Sequence, residues 1–127
     1  MRLPYFNIMK HEESKLQIAC VNWFRLAYPQ YAGLLFSVPN GGKRSVVTAT
    51  IMKREGALAG VADLFLAARS LQYIHCRGLW IEMKAGTKWK QSDSQKEFEK
   101  NVTAQSYRYE LVDNFDRFKE LIDDYLK

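Results

Sequence analysis

The sequence predicts a mixed α/β domain with a small central sheet flanked by helices, and two observations predict it. Apolar stripes at helical spacing alternate with short apolar runs of strand length, in the order α-β-α-β-β-α-β-α. Two of those runs, 63–68 and 79–83, are apolar on both faces, which marks central strands covered by helices on each side. With 127 residues, 47% of them hydrophobic, the chain is expected to form a single domain over 1–127 whose core needs neither disulfides nor a structural metal.

The elements follow in order. Leu16, Cys20, Trp23 and Ala27 recur at steps of three and four, which predicts a helix over 11–27 that Pro29 ends. Glu13 and Gln17 share a face beside that stripe. Residues 34–38 read as a strand, broken by Asn40-Gly41-Gly42. A helix is expected over 46–55, with Gly56 as its stop and Gly60 in the following turn. Between the two central runs, 71–76 is expected to form a hairpin arm or to extend the first of them. A helix over 92–105, a strand over 107–112 and a last helix through Phe115, Phe118, Ile122 and Tyr125 complete the chain, with Asp113 or Asn114 as the final N-cap.

Composition narrows the function classes. The excess of 19 basic over 14 acidic residues permits a polyanionic partner without requiring one. The cations gather at Lys43-Arg44, at Lys53-Arg54 and between Lys84 and Lys100, so the positive field is local. Cys20 and Cys76 lack the spacing of a zinc or redox pair and sit among apolar residues, which favours buried free thiols. The first residues carry no apolar signal-peptide core, and no apolar run approaches the roughly 20 residues of a membrane span. A cytoplasmic protein with no membrane partner is expected. His11 and His75 are isolated, and neither is given a catalytic role.

Charges inside apolar runs point to a site. Asp63 follows the Gly60 turn and opens one run, while Glu82 and Lys84 stand at i and i+2 in the next. On a strand such a pair projects from one face, and Met83 between them turns into the core. Asp63 would lie beside Glu82 across the ladder. Two converging carboxylates suit Mg²⁺ or Mn²⁺, hard cations that take oxygen ligands and keep waters. Such a cation activates water and neutralises charge on an attacked phosphate. Lys84 is expected to act as a point charge rather than as a base. Taken alone, Glu82 and Lys84 would read as a salt bridge on an exposed strand, and Asp63 as a turn residue. Unpaired charge is costly to bury, however, so three charges at a core edge argue for a site.

These residues belong to a longer series: Glu13-x-x-x-Gln17, Pro39-Asn40-Gly41-Gly42-Lys43-Arg44, Gly56 through Gly60-Val61-Ala62-Asp63, Ile81-Glu82-Met83-Lys84, and Ser92-x-x-Gln95. In that order, over nearly the whole chain, they resemble the VRR-NUC family of the PD-(D/E)xK nuclease superfamily. Ala62 departs from the family's usual proline, which shapes the turn and donates no ligand, and 87–91 departs in composition. The resemblance implies a restriction-endonuclease-like core with Asp63, Glu82 and the Met83 carbonyl as metal ligands and Glu13 near the metal, directly or through water. Lys84 would be the catalytic lysine, and Gln95 would orient Lys84 or the scissile phosphate. Two of these roles have competitors. Glu13 could serve the helix N-terminal dipole, with Glu12 near the metal instead. Ser92-x-x-Gln95 is also a capping box, which is compatible with the catalytic role.

Asn40, Gly41, Gly42, Lys43 and Arg44 read by themselves as a turn with solvated charges; the resemblance makes them an anion nest with a phosphate clamp. Lys88-Trp89-Lys90 could stack on an unpaired base, or Trp89 could belong to the core or a dimer interface. No base-reading module is present, so recognition by DNA shape is expected. The resemblance implies a homodimeric enzyme of phage or bacterial type that cuts four-way (Holliday) junctions, with DNA as partner and no nucleotide cofactor. The competing expectations are a general, restriction-like or flap-type DNase, and a nucleic-acid-binding module without catalysis.

Overall fold

The structure, a computed structural model, describes residues 3–39 and 45–127, with side chains from His11 onward. Its first helix, α1, spans Leu3–Ala27 and so begins well before the expected 11–27. Pro4 lies in its first turn, where a missing N–H has no intrahelical partner to lose. Tyr28 closes it by donating its N–H to the Phe24 carbonyl at 2.8 Å, and Pro29 starts a 3-10 helix, Pro29–Leu34. There follow β1 (Leu35–Ser37), α2 (Val46–Arg54), β2 (Leu64–Leu66), β3 (Leu79–Met83), α3 (Asp93–Ala104), β4 (Arg108–Val112) and α4 (Phe115–Leu126). Of the two candidate N-caps for α4 it is Asn114 that serves, its side chain accepting from Arg117 N at 2.8 Å.

One expected element is absent. Residues 71–76 form bends and a turn rather than a hairpin arm. The Ser70 hydroxyl explains this, because it accepts from the N–H groups of Gln72 and Tyr73 while donating to the Tyr125 carbonyl. A side chain that satisfies local N–H groups in this way competes with a ladder for them.

The four strands lie in the order β1-β2-β3-β4. The first two pairings are antiparallel and β3–β4 is parallel, which a crossover element must make possible; α3 is that element. Period-2 alternation sends Leu79, Ile81 and Met83 to one face and Trp80 and Glu82 to the other. On the first face α1 and α4 bring Cys20, Phe24, Phe118 and Ile122 against Leu64 and Ile81, all fully buried. Each such side chain contributes about 1.5–3 kcal/mol. On the second face α3 sets Phe98 edge-on to Trp80, ring centroids 5.0 Å apart, beside Tyr109 and Ala62.

Cys20 is buried and Cys76 half-buried, both as free thiols. Burial pushes the Cys20 thiol up to about 12, which makes it inert. Among the described residues no helix is long and apolar enough to cross a membrane.

Candidate active site

The site forms where β2 begins and β3 ends. Leu64 pairs with Ile81 in antiparallel register, so Asp63, one residue ahead, faces Glu82. Asp63 is held from both sides. Its carbonyl accepts from Val38 N at 2.8 Å, and its carboxylate accepts from Met83 N at 2.7 Å. The Met83 side chain points into the core at 1% exposure.

Glu82 and Lys84 are buried, 4% and 9% exposed, and lie on the α3 side of the sheet. Their charged atoms are 3.9 Å apart, and Gln95 bridges them. Gln95 Nε2 donates to Glu82 Oε2 at 3.1 Å, and Lys84 Nζ donates to Gln95 Oε1 at 3.0 Å. The same Oε1 accepts from Ser92 N at 2.8 Å, while Ser92 Oγ accepts from Gln95 N at 3.2 Å. This is a complete capping box whose glutamine also reaches both charged residues.

Gly60 sets the approach of the two halves. Its φ is +89°, and a Cβ there would stand 2.3 Å from the Ser94 carbonyl oxygen. The loop that delivers Asp63 therefore rests directly on the first turn of α3, which delivers Gln95. The sequence shows a glycine turn here but not this contact, since Ser94 is distant in the chain.

One oxygen is left over. Glu82 Oε1 is buried and has no hydrogen-bond partner among the described residues. Burial pushes the Glu82 carboxyl up to about 9; the facing Asp63 carboxyl, by charge and by sharing a hydrogen bond with it, and Glu13 push the same way, and Lys84 opposes them. Two facing carboxyls that resist carrying negative charge together, one with an oxygen that no described donor reaches, fit a cation that would let both ionise. Among the described residues no group of three or more His, Cys, Asp and Glu side chains could hold a metal. Two carboxylates are the donor set that Mg²⁺ commonly takes, with waters and substrate phosphates completing its shell.

Glu13 stands on α1, half-buried and close enough to act on Glu82. It lies in mid-helix because α1 begins at Leu3, which removes the dipole role: that effect is confined to the first turn. Glu12 is exposed and pairs with Lys15 at 3.4 Å.

No protein-family model matches the chain, and no curated protein matches it. A solved structure described as "VRR_NUC domain protein" is similar to it with a TM-score of 0.74, over 90% of this chain and 87% of that chain, at 23% identity. The chain has the fold of a VRR_NUC domain. The expected α/β core, with its small mixed sheet between helices, is the core of that fold.

Within this VRR_NUC fold the flanking cations are less gathered than the acids. Lys88 and Lys90 are exposed, and Trp89 between them is half-buried with its indole N–H 3.4 Å from Asp113 Oδ2. Trp89 is therefore not a core residue. Asn40, Gly41, Gly42, Lys43 and Arg44 lie outside the described residues.

The two jobs of Gln95 can be separated. Ser92→Ala removes the cap alone and is expected to cost about 1 kcal/mol of stability with turnover largely kept. Gln95→Ala removes the bridge as well and is expected to lower cleavage by about tenfold or more, as lost positioning does. Urea unfolding and single-turnover cleavage of both variants check this; equal activity in the two would reduce Gln95 to a cap.

Proposed function

We propose that this chain is a divalent-metal-dependent DNA endonuclease that hydrolyses phosphodiester bonds. The reading rests on one observation above the others: a buried carboxyl oxygen of Glu82 that no donor among the described residues reaches, in a site where Asp63, Lys84 and Gln95 converge. Asp63 and Glu82 would hold Mg²⁺ or Mn²⁺ together with the Met83 carbonyl, and Glu13 would act on it from α1, directly or through water. The cation supplies an activated water and neutralises charge on the attacked phosphate. The chain's own residues do the rest. Asp63, fixed by the Met83 and Val38 N–H groups, keeps its carboxylate facing Glu82. Gln95 holds Lys84 Nζ at a set place, where its charge can meet negative charge building on a phosphate oxygen. Because that amine is immobilised before substrate arrives, little reorganisation opposes the reaction.

The finer reading is a homodimer that cuts four-way junctions. Its physical support is α2, whose nine residues include none that is buried, with Val46, Val47 and Ile51 exposed. So short a helix is marginal alone in water and is stabilised by packing. A second copy would supply that packing, and a two-fold pair would set two sites on a two-fold symmetric junction. Val47→Asp combined with Ile51→Asp is expected to leave a folded monomer by light scattering and to abolish paired cuts across the junction. A dimer that survives both changes would take α2 out of the interface.

The direct test is cleavage of labelled four-way junction, 5′ flap and linear duplex with Mg²⁺ or Mn²⁺, beside Lys84→Ala. Junction-selective cutting lost in the variant supports the full proposal. Equal cutting of all three substrates would keep the nuclease and replace the resolvase by a general DNase. Tight binding without cutting would leave a nucleic-acid-binding module.

A further inference from the structure

A cleft of about 280 Å³ opens between α1 and the β1 edge of the sheet. One side is a stripe of α1 that carries Gln17, Val21, Asn22 and Arg25, and the other is formed by Leu35, Phe36 and Leu64. Gln17, Asn22 and Arg25 make no side-chain hydrogen bond or ion pair among the described residues, so amide donors, amide acceptors and a guanidinium all stand uncommitted around an apolar floor. Phe36 contributes to the rim while its ring packs on Phe65 on the opposite face of the sheet, and among the described residues no carboxylate lines the cleft.

The place matters as much as the lining. Leu64 in the floor directly follows Asp63, and Ser37 on the wall precedes Val38, the residue that holds the Asp63 carbonyl. Gln17 is one helical turn beyond Glu13. The cleft thus begins where the acidic site ends, around the corner of the sheet. Its volume falls just below the usual range of ligand pockets, about 300 to 1,000 Å³, and so suits one planar ring system rather than a large cofactor.

We propose that this cleft receives one unpaired nucleobase next to the scissile phosphate, a proposal that rests on the nuclease reading above. Side-chain amides match the donor–acceptor edge of a base. The apolar floor of Leu35 and Leu64 accepts one of its faces. Arg25 meets the neighbouring phosphate as a two-pronged donor. Fully paired DNA has no base to offer, so the cleft would favour branch points and frayed ends over plain duplex.

The test walks an abasic residue through the positions on either side of the cut in a branched substrate, with the wild type and with Gln17→Ala combined with Asn22→Ala. One position is expected to cost the wild type about tenfold in single-turnover rate, in line with the loss of one or two side-chain hydrogen bonds. The variant is expected to lose a similar factor on intact substrate and nothing further from the abasic residue. A flat scan, or penalties that simply multiply, would overturn the proposal. A second readout does not need cutting: the side-chain amide NMR signals of Gln17 and Asn22 should shift on titration with deoxyadenosine monophosphate and stay still with inorganic phosphate. Unmoved amides with the nucleotide would also overturn it. Shifted amides with no cutting of any substrate would keep the base site and remove the nuclease.

Discussion

Replacing Lys84 with alanine is expected to lower cleavage by about 10²–10³-fold or more, the usual cost of removing one preset group that meets charge in a transition state. The structure explains why the loss should fall on turnover. Lys84 touches neither Asp63 nor the free Glu82 oxygen; it reaches Gln95 Oε1 at 3.0 Å and stands 3.9 Å from the other Glu82 oxygen. Its removal leaves the Asp63–Met83 bond, the Gln95–Glu82 bond and the capping box with their partners. Lys84→Met, which keeps the aliphatic volume of this buried position, separates lost charge from a cavity. Calorimetric titration with Mn²⁺ should find metal binding largely intact in both folded variants. Asp63→Ala and Glu82→Ala should lose metal binding and cleavage together, because each removes a carboxylate from the pair. Full turnover by a folded Lys84→Ala protein would overturn the mechanism.

Gly60→Ala is expected to cost about 2–4 kcal/mol and most of the activity, although it removes no functional group. Two penalties combine. A left-handed φ of +89° strains any residue with a Cβ, by roughly 1 kcal/mol or more. The added methyl would also stand 2.3–2.4 Å from the Ser94 carbonyl atoms and 2.9 Å from Gln95 N, all backbone, so no rotamer change relieves it. Overpacking of that kind typically costs about 1–3 kcal/mol. The chain must move the Asp63 loop away from the α3 N-terminus, and so separate Asp63 from Gln95, Glu82 and Lys84. Denaturant unfolding with single-turnover cleavage checks both effects. As a contrast, Gly33 has nothing within 4 Å of an added Cβ, and Gly33→Ala should be nearly silent. Wild-type stability and rate in Gly60→Ala would show that the loop does not couple the two halves of the site.

The acids were legible in the sequence for a plain reason. Charge inside an apolar run violates the pattern that folds the strand, and the i, i+2 spacing of Glu82 and Lys84 sets them on one face whatever the surroundings. The helices that end in strong local signals were legible too: Pro29 after α1, Ser92 before α3 and Asn114 before α4 are local chemistry. The segment 71–76 was not, because its apolar residues resemble a strand while a buried serine hydroxyl tied to Tyr125, far along the chain, bends it. The start of α1 was missed because the apolar stripe legible in the sequence begins only near Leu16, whereas the helix reaches back to Leu3.

By itself, then, the sequence determined the class of fold and the strand that carries Glu82 and Lys84. These follow from spacing and residue type, which act over a few positions. Only the tertiary structure decided that Gln95 bridges Lys84 to Glu82 while capping its helix, that Glu13 rather than Glu12 faces the site, and that Gly60 rests against Ser94. It also decided which oxygen of Glu82 is left without a partner. Those facts depend on which turns of distant elements meet, and register and close approach are set by packing the core as a whole rather than by any local run of residues.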